Sequence, residues 1–467
     1  MEVSSVIGLR QCSVNWLLAV FICVVSANTV PALPPGDNLV GNGSFQGAID
    51  NGLPTGWVIK AARPCLSPEI RMVNEHGQRF LYIAGGGNPD CVGGVSTQAS
   101  IVTGKTYWFR VRFRKSECVN PLQHLLLEVA AQGTSQQIVE FHRLPENWVE
   151  GETRVSFPGK GPVSTEVRIL YRLCSEGRVW IKDVSLVETD PVPPRWVRFA
   201  CTGGPDALEE YGLPAFRKAL DVIGQARVDL ALLPEYFNGE YVQETLSGPS
   251  ATMMSEKACR YGMYVAGTIG LYDKASDRLF NAALLFDPKG KLVGRYDKIH
   301  LYGPELYSDG VTPGDHTPVF TTDFGKVAFM TCYDSWFTDV AELAALRGAD
   351  ILLFPSLNYD RVLMHARSLD NCINIVASSR AGGCGVWDSG GRDVLDASSA
   401  TSHGFAFRDI VKTRVDGLDI LMVTLDLNVP LIGGSRSPTI RSKRHLGNQR
   451  IQLENQIGRE RNRWWVD

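Results

Sequence analysis

Hydrophobic and polar positions alternate in short runs over the first part of the chain, from residue 37 to about 190. The clearest runs are Phe80–Ala84, Tyr107–Phe113, Leu125–Ala130 and Val179–Val187. Gly, Pro, Asn and Ser separate these runs, and no convincing 3.6-residue period interrupts them. A period of two is typical of strands with one buried face. The pattern therefore predicts an all-β domain over 37–190, either a two-sheet sandwich or a jelly roll.

A proline-rich segment, 191–194, stands between this region and a second one whose pattern is different. The second region, 195–467, has strand signals at Trp196–Ala200, Val228–Pro234, Tyr264–Gly267, Ala282–Phe286, Val327–Thr331, Ile351–Phe354 and Ile373–Ala377. Helical stretches are predicted at 206–226, 250–261, 339–347 and 360–371. Alternation of this kind indicates a layered α/β architecture.

The first residues have the pattern of a secretory signal peptide. Arg10 precedes an apolar run from Trp16 to Val25, and small residues then offer cleavage after Ala27 or after Ala32. The run is much shorter than the roughly 20 residues that span a bilayer, although an uncleaved anchor is the alternative. We therefore expect a signal peptide over 1–27, a secreted or periplasmic protein and no membrane span.

Charge and composition exclude several classes. The chain has 467 residues, and its 47 Lys and Arg against 50 Asp and Glu provide no overall basic field for nucleic acid. Residues 436–463 carry eight Lys or Arg against Glu454 and Glu460. This basic tail is interpreted as packing back on the acidic body, with a polyanion-binding arm as the alternative. Neither a dinucleotide-binding glycine motif nor a phosphate-binding loop is present.

Eleven cysteines fit an exported protein. Four fall in the β region and allow three pairings, of which we select Cys65–Cys91 with Cys118–Cys174. Five fall in the second region, so at least one thiol there is free or paired between chains. None lies in a Cys-x-x-Cys or His/Cys cluster, so a structural zinc site has no support.

Three polar residues lie at or just past the ends of apolar strands: Glu235, Lys298 and Cys332. Cys332 is predicted between a strand and a helix, where backbone N–H groups and the helix dipole would lower the pKa of its thiol. A carboxylate can take the thiol proton, and an ammonium can stabilise the oxyanion that forms on attack. Glutamate, lysine and cysteine together suffice for acyl transfer, without a metal or organic cofactor.

At these motifs the chain resembles the nitrilase, or carbon–nitrogen hydrolase, superfamily. The similarity covers roughly 195–450 and rests on Leu233-Pro234-Glu235, Tyr296-Asp297-Lys298-Ile299-His300-Leu301 and Thr331-Cys332-Tyr333-Asp334. The resemblance implies a four-layer αββα sandwich, a dimer or larger assembly, and a small-molecule amide or nitrile as substrate. It implies Glu235 as base, Cys332 as nucleophile and Lys298 as the group that stabilises the tetrahedral intermediate.

The same resemblance bears on the surroundings of the site. Glu305 is the candidate for the second glutamate that many members carry, and the Tyr333 N–H would complete the oxyanion hole. Ser335-Trp336-Phe337 departs from the usual continuation after the cysteine motif, which leaves the substrate open. Trp336 is either a pocket wall or a core residue, and Asn358 either lines the pocket or caps a loop.

The β region resembles galactose-binding-like carbohydrate-binding modules at both ends. The opening similarity lies in Asn38–Phe45 and Leu53–Trp57, and the closing one in Val179–Leu186. It implies a jelly-roll fold and a possible glycan ligand, although Trp57 is more readily a core residue than a sugar platform. The leading hypothesis is an exported amidase that forms a thioester on Cys332. The alternatives are a nitrilase, a glycan-binding protein with an inactive hydrolase scaffold, and a β domain that serves only as spacer or dimerisation surface.

Overall fold

A computed structural model describes residues 36–428 except 139, 205–211, 240, 241 and 396–406. The predicted signal peptide and the basic tail lie outside the described residues. Among the residues that the structure describes, no helix is both long and apolar enough to cross a bilayer.

Residues 49–189 form antiparallel sheets that share one core. The strands are β1 (Ile49–Asp50), β2 (Leu53–Pro54), β3 (Trp57–Ala61), β4 (Glu69–Glu75), β5 (Gln78–Ala84), β6 (Val92–Thr103), β7 (Thr106–Lys115), β8 (Leu125–Ala131), β9 (Thr134–Gln137), β10 (Glu140–Arg143), β11 (Trp148–Ser156), β12 (Gly161–Arg172) and β13 (Arg178–Thr189). The larger sheets have the orders β10-β11-β7-β13-β5-β4 and β3-β6-β12-β8-β9, and β1 pairs with β2. Short helices lie at Pro64–Leu66, Pro145–Asn147 and α1 (Pro121–His124). Each of the four strand runs expected here lies inside one of these strands, which confirms those predictions.

The core of this unit takes side chains from both larger sheets, among them Leu81, Phe109 and Val167. Trp57 belongs to it with 5% of its surface exposed, and its indole N–H donates to the Gly41 carbonyl at 3.1 Å. Trp57 is therefore a core residue. The resemblance to carbohydrate-binding modules stays a prediction.

The structure has Cys65, Cys91, Cys118 and Cys174 as free thiols. The two members of the second pair are nevertheless neighbours, because the Cys174 Sγ lies 3.7 Å from the Cys118 carbonyl oxygen. Cys65 is exposed and Cys91 is buried. The pairing stays a prediction.

The second unit is built from two mixed sheets and helices. Its strands are β14 (Trp196–Gly203), β15 (Leu230–Leu232), β16 (Gln243–Glu244), β17 (Tyr264–Asp273), β18 (Arg278–Phe286), β19 (Leu292–Asp297), β20 (Val319–Thr321), β21 (Lys326–Phe329), β22 (Ile351–Ser356), β23 (Asn374–Ser379), β24 (Gly383–Trp387), β25 (Phe407–Val415) and β26 (Leu418–Asp426). Its helices are α2 (Leu213–Gln225), α3 (Pro249–Tyr261), α4 (Gly303–Tyr307), α5 (Asp339–Leu346), α6 (Arg361–Asn371) and the 3₁₀ helix Cys332–Trp336.

The apolar faces of the sheets and helices determine how the layers of this unit pack. One sheet has the order β19-β18-β17-β15-β14-β26-β25, with β16 beside β17, and the other has the order β20-β21-β22-β23-β24. Helices α2 and α3 pack on the outer face of the first sheet, and α5 and α6 pack against the second. The sheets face each other across a core that includes Phe199, Leu232 and Leu353. The predicted α/β sandwich is confirmed.

Some elements differ from the sequence prediction. Helix α2 begins at Leu213, because Gly212 is extended and Pro214 occupies the first turn, where a proline is best tolerated; the earlier part of the predicted stretch, 206–211, lies outside the described residues. The hairpin β25–β26 was not predicted; β26 pairs with β14, and β25 forms the edge of the sheet. Its turn is Asp416-Gly417, and both residues have positive φ, as a two-residue hairpin turn requires.

The inter-sheet core should carry much of the stability of this unit. Leu353 on β22 is fully buried, so Leu353→Ala should lower the free energy of unfolding by about 2–5 kcal/mol through lost contacts and a cavity. Val362→Ala on α6 is the control, because Val362 is exposed and should cost less than about 0.5 kcal/mol. Urea unfolding measures both, and equal losses would contradict the assignment of Leu353 to the core.

Candidate active site

Three strand ends bring the sequence-predicted triad together. Glu235 follows β15, Lys298 follows β19 directly, and Cys332 opens the 3₁₀ helix after β21. β15 and β19 belong to one sheet and β21 belongs to the other. The site therefore lies between the two sheets, at the strand ends that carry these residues. It can form only when both sheets are packed together.

The Lys298 ammonium lies between two carboxylates. Its Nζ donates to Glu235 Oε1 at 2.9 Å and to Glu305 Oε2 at 2.6 Å, and all three side chains are buried. Burial acts to lower the pKa of Lys298, but the carboxylates of Glu235 and Glu305 more than offset this, so that its pKa lies above the ordinary value. Lys298 is therefore charged at every working pH. The predicted second glutamate, Glu305, is part of this cluster.

Each carboxylate receives further hydrogen bonds. The Leu357 N–H donates to Glu235 Oε2 at 2.9 Å, and the Tyr302 N–H donates to Glu305 Oε2 at 2.8 Å. Buried charges are tolerated only when they are paired and hydrogen-bonded. These contacts fix both carboxylates relative to the lysine.

The nucleophile candidate is held as a thiol. The pKa of the Cys332 thiol is raised to about 12, because burial and the Glu235 carboxylate, which raise it, outweigh Lys298 and the Ser356 hydroxyl, which lower it. The prediction that the turn and helix dipole would lower this pKa was wrong, because burial and a nearby negative charge outweigh them. The thiol therefore has to lose its proton to a base during the reaction.

The turn that carries Cys332 is tied to the lysine strand by Asp334. Its carboxylate accepts from the Thr331 N–H at 2.9 Å, the Tyr296 hydroxyl at 2.6 Å and the His300 N–H at 2.8 Å. Cys332 itself has φ of +45°, a left-handed conformation that is uncommon for a residue with a side chain. The buried Asp334 thus holds an unfavourable backbone geometry in place beside Lys298.

Two of the predicted substrate-binding residues, Tyr333 and Trp336, lie in the 3₁₀ helix that begins at Cys332. The third, Asn358, follows β22. Tyr333 is partly exposed, and its ring packs edge-on against Tyr302 at 5.6 Å. Trp336 is 63% exposed, so the core alternative for it was wrong. The Asn358 Oδ1 accepts from the Tyr359 N–H at 2.9 Å, which is a loop-capping contact. Roles for these residues in substrate binding stay predictions.

Two residues of the site were missed. The Asn281 side-chain amide donates to both Glu235 and Glu305, and the Tyr236 hydroxyl donates to Glu305. A signal existed for each. Tyr236 directly follows the glutamate motif, and Asn281 is a lone amide in the apolar strand β18.

Comparison with known protein families gives a match that covers the site. The family model described as carbon-nitrogen hydrolase matches residues 200–429. Those residues form a carbon–nitrogen hydrolase domain.

The domain is similar to several curated proteins. It is 29% identical over 185 residues to an omega-amidase of Xenopus tropicalis, covering 35% of this chain and 67% of that protein. It is 30% identical to nitrilase homolog 2 of Dictyostelium discoideum, covering 35% and 57%. It is 27% identical to the chloroplastic omega-amidase of Arabidopsis thaliana, covering 35% and 52%. The chain thus spans about half to two thirds of the length of these relatives.

Solved structures also match. One is Nit3 of Saccharomyces cerevisiae, at 22% identity and a TM-score of 0.40, covering 50% of this chain and 91% of that one. Another is an amidase from Nesterenkonia sp. AN1, at 20% identity and a TM-score of 0.42, covering 55% and 99%. With its family and its amidase relatives, the hydrolase domain belongs to the enzymes that act on carbon–nitrogen bonds other than peptide bonds.

The charge relation between Glu235 and Cys332 can be tested directly. Glu235→Gln removes the base, so turnover should fall about 10²–10⁴-fold. It also removes a negative charge that raises the thiol pKa, so the thiolate fraction should rise, and alkylation of Cys332 by iodoacetamide at pH 7 should be faster than in the wild type. Mass spectrometry of the Cys332 peptide measures the alkylation rate.

The matched control for that experiment is Glu244→Gln. Glu244 is a buried carboxylate with its own partners, since its Oε1 accepts from Asn238 at 2.9 Å and its Oε2 accepts from the Ser250 N–H at 2.8 Å. It should leave the alkylation of Cys332 unchanged. Slower or unchanged alkylation in Glu235→Gln would show that Glu235 does not govern the thiol.

Proposed function

We propose that the hydrolase domain is an amidase that cleaves a non-peptide amide through a thioester on Cys332. The observation that carries the proposal is the buried Lys298 ammonium, which contacts both Glu235 and Glu305 beside the Cys332 thiol. A carboxylate, a thiol and an ammonium in one site can supply the base, the nucleophile and the oxyanion stabiliser that this reaction needs. The relatives named omega-amidases support an amide as the substrate.

In the first half of the reaction, Cys332 Sγ attacks the amide carbonyl carbon while Glu235 takes the thiol proton. Because the thiol pKa is raised to about 12, deprotonation is coupled to attack and no free thiolate accumulates. The Lys298 ammonium and the Tyr333 N–H stabilise the resulting oxyanion. The C–N bond then breaks, and the departing amine takes the proton from Glu235, which leaves the thioester.

In the second half, Glu235 takes a proton from water as the water oxygen attacks the thioester carbonyl. The second tetrahedral intermediate uses the same two donors. Its collapse breaks the C–S bond, releases the carboxylic acid and returns the proton from Glu235 to Cys332. The balance is amide plus water giving acid plus amine.

Glu305 has a separate task in this scheme. It accepts from Lys298 Nζ at 2.6 Å through Oε2, whereas Glu235 is reached through Oε1 at 2.9 Å. When Glu235 becomes neutral by taking the thiol proton, Glu305 is the anion that remains paired with the ammonium. Lys298 therefore stays charged and in place while it stabilises the oxyanion.

The test is ammonia release from a panel of aliphatic and aryl amides, carbamoyl compounds and nitriles. Wild-type protein should turn over at least one amide, and Cys332→Ala should reduce that rate on the order of 10⁴-fold or more, because the covalent route is lost. Cys259→Ala is the matched control, since Cys259 is an exposed cysteine on α3 outside the site. A folded Cys332→Ala variant with full activity would overturn the proposal, and turnover of nitriles alone would overturn the assignment of the bond.

We also propose that the protein is exported after removal of residues 1–27. The apolar run from Trp16 to Val25 and the small residues after it support this. Expression in a secreting host should yield a protein that begins at Asn28, or at Leu33 if cleavage follows Ala32. Intact-mass and N-terminal peptide measurements check this. An intact leader on membrane-bound protein would favour the uncleaved anchor instead.

A further inference from the structure

Asn281 lies between the two carboxylates of the site. It is fully buried on β18, and its Nδ2 lies 2.7 Å from Glu235 Oε1 and 2.7 Å from Glu305 Oε1. The two carboxylate oxygens therefore lie within twice that distance of each other. An amide nitrogen has two hydrogens and no free acceptor, so both oxygens must be acceptors at this point.

The charges around Asn281 do not balance. Glu235 follows β15, Glu305 is on α4, and the one ammonium that reaches both is Lys298 after β19. The Cys332 thiol and the Tyr236 hydroxyl also face this cluster. Two carboxylates that share a buried site tend to hold one proton between them. A proton on Glu235 would remove the proposed base, so hydrogen bonds that favour the ionised carboxylates matter for the reaction; Leu357 and Tyr302 each supply one backbone N–H, and Asn281 reaches both groups at once.

The main chain of Asn281 adds to this. Its carbonyl accepts from the main-chain N–H of Lys298 at 3.0 Å, so Asn281 contacts both carboxylates through its side chain and the backbone of Lys298 through its own backbone. Its Oδ1 has no hydrogen-bond partner among the described residues. With the amide reversed, that oxygen would face both carboxylates, so the observed orientation is fixed by the two anions. Burying an unpaired carbonyl oxygen is unfavourable. The donation of both N–H groups of the same amide to the two carboxylates offsets this cost.

We propose that Asn281 is a positioning residue that keeps Glu235 ionised and aimed for proton transfer, by donating one N–H to Glu235 and the other to Glu305. The inference rests on the proposed amidase reaction. Tyr236 assists through its hydroxyl, which donates to Glu305 Oε1 at 3.1 Å. Burial and the neighbouring carboxylates raise the pKa of Tyr236, so it remains a donor throughout the working range.

The test compares pH profiles of kcat/KM for wild type, Asn281→Leu and Tyr236→Phe. Leucine has nearly the shape of asparagine and no donor. In Asn281→Leu the acid limb should move to higher pH by about one unit or more, the size that an unrelieved like charge produces. At pH values well below the midpoint of the acid limb the rate should then fall at least about 10-fold, mainly in kcat. Tyr236→Phe should shift the limb in the same direction by a smaller amount.

The control is Asn374→Leu. Asn374 is a buried asparagine on β23 that serves only structure, since its Nδ2 donates to the Asp350 carbonyl at 2.9 Å and its Oδ1 accepts from the Ser389 N–H at 3.0 Å. This variant should lose stability and keep the wild-type acid limb. A folded Asn281→Leu with the wild-type acid limb, or with a rate loss that does not depend on pH, would overturn the inference.

A second readout does not need turnover. Infrared difference spectra between pH 5 and pH 8 should show a protonated carboxyl band in Asn281→Leu that persists to higher pH than in wild type, and Glu235→Gln identifies its source. Identical spectra would overturn the role of Asn281 whether or not any amide is cleaved. Failure of the whole amide panel with the infrared difference present would instead count against the proposed function alone.

Discussion

The buried ion cluster of Lys298, Glu235 and Glu305 constrains the rest of the hydrolase domain. Removing three charges from water is costly unless each is paired and each remaining lone pair is hydrogen-bonded. The Leu357 N–H, which donates to Glu235, comes from a distant part of the chain just past β22 in the other sheet, whereas the Tyr302 N–H, which donates to Glu305, is only three residues away. The cluster can therefore form only when both sheets are packed together. The packing of the sheets must in turn leave these groups within hydrogen-bond distance of one another.

The state of the nucleophile follows from that cluster. Two carboxylates face one ammonium, so a thiolate would add a further negative charge to a site that already has an excess. Burial of the thiol, together with the Glu235 carboxylate, is why the pKa of Cys332 is raised to about 12 and not lowered. In the proposed reaction there is no preformed thiolate, and the base already lies beside the thiol proton. The reactivity proposed for Cys332 therefore depends on Glu235 as well as on the thiol.

The sequence carried the strand ends and the three reacting groups, because both are local signals. Glu235, Lys298 and Cys332 each follow an apolar run, and strand ends put such residues at one edge. The sequence could not provide the direction of the pKa shift at Cys332, since that direction depends on distances between segments far apart in the chain. Asn281 was missed for a related reason. A single amide in an apolar strand looks like a tolerated polar residue until the two carboxylates beside it are seen. The Asp416-Gly417 turn was different, because its hairpin signal was local and was overlooked.

The charged cluster of this domain and the aromatic side chains next to Cys332 differ in burial. The charged groups are buried and tied to one another, so a change at any of them disturbs the others. The side chains next to the nucleophile are not restrained in this way: Trp336 is 63% exposed, and Tyr302, which packs on Tyr333, is 56% exposed. Exposed aromatic side chains can change without a large loss of stability, whereas a buried and fully paired carboxylate cannot. The buried cluster is therefore more tightly constrained than the exposed side chains beside it, and for that reason the motifs here indicate a bond type more firmly than a substrate.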